Sequence, residues 1–98
     1  MSRALEFHPL VQADLQEAAS YYQAERDGLG LSFLTEVDSC LERISANPTA
    51  YSTIRKSIRR AVMHRFPYVI IFEAQQDKLY VYGVLHGKRR DGAWISRL

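Results

Sequence analysis

The sequence predicts an α+β domain in which a short N-terminal strand and an antiparallel helical hairpin pack on a C-terminal antiparallel β-sheet, in the order β-α-α-β-β-β. Two observations predict this class. Apolar side chains recur at helical spacing between residues 9 and 46, and β-branched and aromatic runs follow from residue 57 onward. A length of 98 residues suffices for one core, so residues 1–98 are expected to form a single domain.

The first half of the chain predicts one strand and two helices. Residues 4–8 alternate between apolar and polar side chains before Pro9, which is typical of a short strand. Apolar residues then recur at intervals of three and four, first over about residues 9–26 and again over about residues 30–46. Because the linker at Asp27–Gly30 is so short, the two helices must lie antiparallel and offer their apolar faces to the sheet.

The second half predicts three consecutive strands after an irregular stretch at residues 49–56. Residues 57–64 form the first strand. The apolar runs at residues 66–72 and 79–85, which a short polar stretch separates, predict a β-hairpin. Pro67 cannot donate a ladder hydrogen bond, so it is expected to mark the start of the hairpin's first strand.

The alternation of side chains along these strands predicts which face covers the core. In the strand at residues 57–64, Arg59 and Arg60 should point to opposite faces. A strict period of two places four side chains of the last strand on its outward face, namely Tyr80, Tyr82, Val84 and His86. The face beneath the helices then holds Leu79, Val81, Gly83 and Leu85.

Charge is divided sharply between the two halves of the chain. Residues 1–50 carry three basic and eight acidic side chains, whereas residues 51–98 carry ten basic and three acidic ones. Such asymmetry predicts a polyanionic or acidic partner for the C-terminal half. Acidic helices packed near a basic sheet would account for the division equally well.

Basic residues stand at both ends of the predicted hairpin. One cluster precedes it, namely Arg59, Arg60, His64 and Arg65, and a second follows it, namely His86, Lys88, Arg89 and Arg90. Because the start of one strand lies beside the end of its antiparallel partner, we expect the two clusters to meet at one cationic rim. The candidates for binding a target or an acidic partner are Arg59, Arg60, Tyr82, His86, Lys88 and Arg89.

The cluster after the last strand could also be catalytic. His86 could accept or donate a proton because histidine titrates near neutral pH. With Lys88 and Arg89 stabilising the developing phosphorane charge, it could cleave a phosphodiester without a metal. The alternative is structural, with the imidazole hydrogen-bonded to the backbone at the strand end.

Several classes of protein are not expected. Glu6 interrupts the N-terminus where a signal peptide needs an apolar run, and no stretch approaches the roughly 18 apolar residues of a membrane helix. Cys40 is the one cysteine, so it can form no internal disulfide, and no zinc-ligand spacing is present. We therefore expect a cytoplasmic protein with no membrane contact, metal or cofactor, in which Cys40 is a small core residue.

The chain resembles the RelE/ParE superfamily of type II toxins, also called plasmid-stabilisation proteins, over nearly its whole length. The most specific part is the ordered set Phe66-Pro67-Tyr68, a strand, then His86, Lys88, Arg89 and Trp94. Further matching residues are His8-Pro9, Asp14-Leu15, Glu17-Ala18, Tyr21-Tyr22, Gly30, Phe33, Pro48 and Ile58-Arg59. The resemblance implies the fold described above and adds Trp94 to the candidate residues for target or antitoxin binding.

The resemblance also implies a growth-inhibiting toxin that a cognate antitoxin neutralises in a hetero-oligomer. RelE-like members cut messenger RNA on the ribosome with a basic cluster and a C-terminal aromatic residue, whereas ParE-like members block DNA gyrase without that catalytic set. Lys88 and Arg89 match the basic pair of RelE-like chains. However, Val69 stands where those chains place an arginine, and Ile95 stands where they place a tyrosine.

These departures favour the ParE-like class, as do the helix lengths and the ending from His86 to Trp94, although Arg90-Asp91 replaces the Asp-Pro common there. The expected target is DNA gyrase. The alternative is a RelE-like, ribosome-dependent endoribonuclease with His86, Lys88 and Arg89 as its catalytic residues. In either case the first strand or the strand at residues 57–64 must form an edge that can receive an added strand, and the helical hairpin leaves a groove that can receive an amphipathic helix. The antitoxin segment can use both, and it is expected to carry apolar anchors and acidic residues that face Arg59, Arg60, Lys88 and Arg89.

Overall fold

The computed structural model describes residues 4–88 and 91–98, and it confirms the predicted order of strand, two helices and C-terminal sheet. The strands are β1 (Ala4–Phe7), β2 (Thr53–Arg55), β3 (Ile58–Val62), β4 (Tyr68–Ala74) and β5 (Lys78–His86). The helices are α1 (Val11–Glu25), α2 (Leu29–Ala46) and two 3₁₀ helices, at Pro48–Ala50 and Asp91–Arg97. We call the second of these the C-terminal 3₁₀ helix.

The five strands form one mixed sheet in the order β1-β5-β4-β3-β2. β1 pairs with β5 in parallel, and the other neighbouring strands pair antiparallel. β2 lies in the stretch that was predicted to be irregular. It spans three residues and pairs with β3 across a register shift, so it leaves no alternating pattern in the sequence.

The main core lies between the helical hairpin and one face of the sheet. Phe33 of α2 is fully buried at its centre, and its ring packs against Tyr22 of α1 and against Phe66 and Tyr68 at the start of β4. Phe66 and Tyr68 therefore anchor the first strand of the hairpin in the core, as expected. Cys40 is also buried in this core, where burial raises the pKa of its thiol.

The two helices approach closely at Gly30. A Cβ atom at this position would lie 2.7 Å from the carbonyl oxygen of Ala19, so a larger residue would push the helices apart. The side-chain oxygen of Gln23 accepts hydrogen bonds from the backbone N–H groups of Gly28 and Gly30 and fixes the connection. Neither helix in the described ranges is long and apolar enough to cross a membrane.

The predicted faces of β5 are correct at Leu79 and Val81 but wrong beyond Tyr82. A register shift between Ile71 and Phe72 leaves Tyr82 as an extra residue, which is a β-bulge. Val84 therefore joins the core beneath the helices, while Leu85 packs on the opposite face. A bulge inverts the side-chain alternation that follows it, so the strict period of two fails from this point.

That opposite face carries a second, smaller core. Ile58, Ile71 and Leu85 pack there against Trp94 of the C-terminal 3₁₀ helix. The C-terminal segment thus covers part of the face that was expected to look entirely outward. Val62 at the end of β3 remains 62% exposed.

Candidate functional site

His86 lies at the end of β5, opposite Tyr68 of β4. Its ring packs edge-on against the Tyr68 ring, with centroids 5.2 Å apart. Its Nδ1 atom accepts a hydrogen bond of 3.0 Å from the backbone N–H of Lys88. The structure therefore matches the structural alternative for His86, in which the backbone holds the imidazole at the strand end.

This hydrogen bond limits the chemistry of the imidazole. When Nδ1 accepts a hydrogen bond, neutral histidine carries its own proton on Nε2. In that state Nε2 can donate a hydrogen bond but cannot take a proton from a ribose hydroxyl. Catalysis by His86 as a general base would first require the Lys88 contact to break.

A small cleft of about 210 Å³ lies beside His86, between α1 and the β4–β5 pair. Asp14 and Glu17 of α1 line it together with Tyr68 and Val84. The exposed carboxylate of Glu17 opposes the approach of a nucleic-acid phosphate to this side of the sheet. Within the described residues, no group of three or more potential ligands is placed to hold a metal ion.

The expectation that both basic clusters meet at one rim is wrong for Arg59 and Arg60, whereas His64 and Arg65 lie in the connection from β3 to β4, at the His86 end of the hairpin. Arg59 lies opposite Phe72 and Arg60 opposite Ile71, whereas His86 lies opposite Tyr68. Four residue steps along β4 separate the level of Arg59 from that of His86, which is roughly 13 Å at the usual rise of a strand. β3 begins beside the turn that joins β4 to β5. Its first residues therefore lie far from the opposite, open end of the hairpin, where His86 lies.

The predicted basic residues also differ in their exposure to solvent and in their hydrogen bonds. Arg59 is half-buried, and its guanidinium donates a hydrogen bond of 2.5 Å to the carbonyl oxygen of Tyr51, which ties the segment before β2 to the sheet. Arg60 points to the opposite face, as predicted, and is exposed. Lys88 is exposed beyond β5, and Arg89 lies outside the described residues.

Tyr82, the bulge residue, is half-buried on the face away from the helices. Its hydroxyl donates a hydrogen bond of 2.9 Å to a carboxylate oxygen of Glu73, which also accepts one from Ser57. Burial first, and then the Glu73 carboxylate, raise the pKa of Tyr82 to about 12. Tyr82 therefore connects the two strands of the hairpin near its turn.

Titration of the tyrosines should reveal this contact. The folded chain keeps the pKa of Tyr82 at about 12 against an ordinary value of 10.0, so its contribution to stability is complete below pH 10.0 and is lost as the pH rises towards 12. In Tyr82→Phe, the ultraviolet tyrosinate signal should lose its step near pH 12. Tyr80→Phe, which also removes one phenol, should keep that step, and an unchanged curve for Tyr82→Phe would contradict the assignment.

Trp94 is 4% exposed and packs in the second core. Its indole holds the C-terminal 3₁₀ helix on the sheet and does not present a surface for a target in this structure. A role for Trp94 in binding would act through the position of that helix.

The most elaborate polar contact was not among the predicted site residues. Asp14 of α1 and Arg97 of the C-terminal 3₁₀ helix form a two-armed ion pair, with N–O distances of 2.6 and 3.0 Å, and both side chains are less than a tenth exposed. Asp14 also accepts from the backbone N–H of Val84, and Arg97 donates to the carbonyl oxygen of Tyr82. The hydrogen bond to Asp14 raises the pKa of Arg97 further.

Gly83 makes this arrangement possible. A Cβ atom there would lie 2.7 Å from a guanidinium nitrogen of Arg97 and 3.5 Å from an Asp14 oxygen. The bulge at Tyr82, Gly83 and the ion pair thus form one unit, which we call the Asp14–Arg97 clamp. β1 ends before it reaches this part of β5. The clamp therefore provides hydrogen-bond partners for the Val84 N–H group and the Tyr82 carbonyl oxygen, which a longer β1 would otherwise pair.

Comparison with known proteins gives consistent matches. The family model described as ParE toxin of the type II toxin-antitoxin system, parDE, matches residues 5–91. Toxin ParE2 of Mycobacterium tuberculosis, in the strains CDC 1551 / Oshkosh and H37Rv, is 30% identical over 94 residues, which cover 95% of this chain and 90% of the toxin.

A solved structure gives the same fold. A chain described as the chromosomal ParDE TA system from P. aeruginosa superposes with a TM-score of 0.74 and covers 87% of this chain and 96% of that one. The sequence identity is 11%, so this likeness supports the fold alone.

Proposed function

Because this chain belongs to the ParE toxin family of type II toxin-antitoxin systems, we propose that it arrests bacterial growth by inhibiting DNA gyrase and that a cognate antitoxin neutralises it. The observation that carries the choice of target is the hydrogen bond from the Lys88 backbone to Nδ1 of His86. It leaves the one histidine of the candidate site unsuited to act as a base, so the site supports binding better than RNA cleavage.

Two further features support an inhibitor that acts by binding. Val69 occupies the β4 position where RelE-like chains place an arginine, and it packs partly buried in the second core. Arg59 does not join Lys88 at the His86 end, since it is engaged with Tyr51 and lies far along the sheet from His86. Phosphodiester cleavage needs its cationic groups gathered around one reacting phosphate.

One observation favours the alternative, a RelE-like endoribonuclease. Lys88 follows His86 by two residues at the open end of the hairpin, and its side chain is exposed. A rearrangement that freed Nδ1 of His86 would place an imidazole and an ammonium group side by side. That alternative predicts cleavage only on the ribosome, where the messenger RNA could induce the change.

A paired assay separates the two functions. The purified chain should inhibit the supercoiling of relaxed plasmid by purified gyrase and should leave messenger RNA intact on translating ribosomes. His86→Ala and Lys88→Ala provide the test variants, and Gln16→Ala on the exposed side of α1 provides the matched control. Ribosome-dependent cleavage that His86→Ala abolishes, together with unimpaired supercoiling, would establish the ribonuclease in place of the gyrase inhibitor.

A further inference from the structure

The face of the sheet away from the helices is covered only in part. The C-terminal 3₁₀ helix packs on this face against β5, where Trp94 closes the second core. Arg97 holds the helix at that side of the sheet through the Asp14–Arg97 clamp. The end of β3 lies beyond this cover, and Val62 there is 62% exposed.

Val62 is the exposed end of an apolar row that crosses the sheet. It lies directly opposite Val69 of β4, which in turn lies opposite Leu85 of β5. Val69 is half-buried, and Leu85 is buried in the second core. Single apolar side chains are ordinary on protein surfaces, but exposed apolar surface that continues a core is typical of a face that a partner covers.

Arg60 adds a positive charge beside this row. It stands two residues before Val62, so the two side chains share a face of β3 about 7 Å apart. Arg60 is exposed and belongs to neither ion pair of the described residues. The carboxylates that β1 and β4 place on this face, Glu6 and Glu73, already accept hydrogen bonds from neighbouring side chains. Arg60 is therefore available to a carboxylate from outside the chain.

The turn from β2 to β3 extends the positive charge along this margin of the sheet. Arg55 and Lys56 are both exposed, and neither belongs to an ion pair among the described residues. Exposed carboxylates such as Asp38 and Glu42 stand on α2, which packs on the opposite face. This division of charge would attract an acidic partner to the open face and orient it there.

The composition of the open face favours a protein partner over a nucleic acid. Protein interfaces combine apolar side chains at the centre with arginine and a charged rim. Binding of single-stranded nucleic acid relies on aromatic rings on which bases stack. Tyr80 and Tyr82 pack against each other near the hairpin turn. Tyr80 lies opposite Glu73, roughly 13 Å along β4 from the level of Val62.

We propose that the open face at Arg60, Val62 and Val69, here called the Val62 patch, docks on gyrase and takes an acidic segment of that protein with aliphatic side chains. The inference rests on the proposed function and specifies the surface that binds the target. An antitoxin is a poorer occupant, because its expected docking surfaces are a sheet edge and the helical groove. β3 is internal, since β2 pairs with its outer side.

Binding of purified gyrase to the full chain tests the Val62 patch. Arg60→Glu should weaken binding by about tenfold, and less so at high salt. Val62→Thr, which keeps the branched side chain that a strand favours, should weaken it by about threefold. The matched controls Arg26→Glu and Leu31→Thr change exposed residues of the helical hairpin and should bind like the original chain.

Photo-crosslinking identifies the occupant. With p-benzoylphenylalanine in place of Val62, irradiation in the presence of gyrase and DNA should join the chain to a gyrase segment that carries carboxylates and aliphatic side chains. The same group in place of Leu31 should not crosslink. Attachment to DNA would overturn the proposal. So would an Arg60→Glu variant that loses affinity for the co-purified antitoxin but not for gyrase.

These measurements keep the target and the docking surface apart. Trp94 fluorescence first establishes that each variant is folded. If the original chain binds and inhibits gyrase and the Val62 patch variants do so equally well, the docking surface is wrong and the proposed function stands. If the original chain does not bind gyrase, the proposed function is wrong and the docking surface falls with it.

Discussion

Replacement of Asp14 by alanine should lower the free energy of unfolding by about 3 to 5 kcal/mol. The substitution leaves the guanidinium of Arg97 buried without its counter-charge, and it removes the acceptor for the Val84 N–H group. Both losses fall on groups that water cannot readily reach. Urea denaturation measures the change, and the fluorescence of Trp94, the one tryptophan, reports unfolding from within the C-terminal 3₁₀ helix that the clamp holds.

Helix α1, which carries Asp14, also offers a matched control. Glu17 is exposed one turn after Asp14, and Glu17→Ala should change stability by no more than about 0.5 kcal/mol. The double variant Asp14→Ala/Arg97→Ala should lose clearly less free energy of unfolding than the sum of the losses in its two single variants. The reason is that each single variant leaves one charged side chain buried without its partner, whereas the double variant removes both. Additive effects would show that the two side chains contribute independently and that no clamp exists.

The elements that could be predicted are those with a strong local period. The helices α1 and α2 each present apolar residues at intervals of three and four, and the hairpin of β4 and β5 carries two apolar runs around a polar turn. In the structure these elements begin and end within about two residues of the expected positions. The aromatic anchors Phe66 and Tyr68 were predictable because Pro67 between them excludes the middle of a strand.

The clamp could not be predicted, since its partners are 83 residues apart and neither belongs to a local pattern. Asp14 stands between Ala13 and Leu15 on the buried face of α1, and nothing near it in the sequence points to a partner at Arg97, which lies at the end of a basic segment. The bulge at Tyr82 was missed for a related reason. One extra residue in a strand leaves no mark in composition, yet it exchanges the faces of Val84 and Leu85.

The cationic rim illustrates the limits of charge counting. Arg59 and Arg60 are adjacent in sequence, but alternation along β3 sends them to opposite faces, and register carries both away from His86. Net charge in a segment predicts association with an opposite charge; it does not predict convergence on one site.

Expression of the chain in a bacterium that lacks its antitoxin tests the central claim, that the chain is a toxin that arrests growth and that a cognate antitoxin neutralises. Induction should stop growth and lower the count of viable cells by orders of magnitude. Co-expression of the cognate antitoxin should restore growth. Asp14→Ala should be less toxic in proportion to the folded protein that it loses, while Gln16→Ala, on the exposed side of α1, should arrest growth like the original chain.

The viable count after induction is the measurement that tests this account most directly, provided that soluble, folded chain is demonstrated in the same cells. The account predicts a sharp fall in viability that the antitoxin prevents. Normal growth at high levels of folded chain would contradict it.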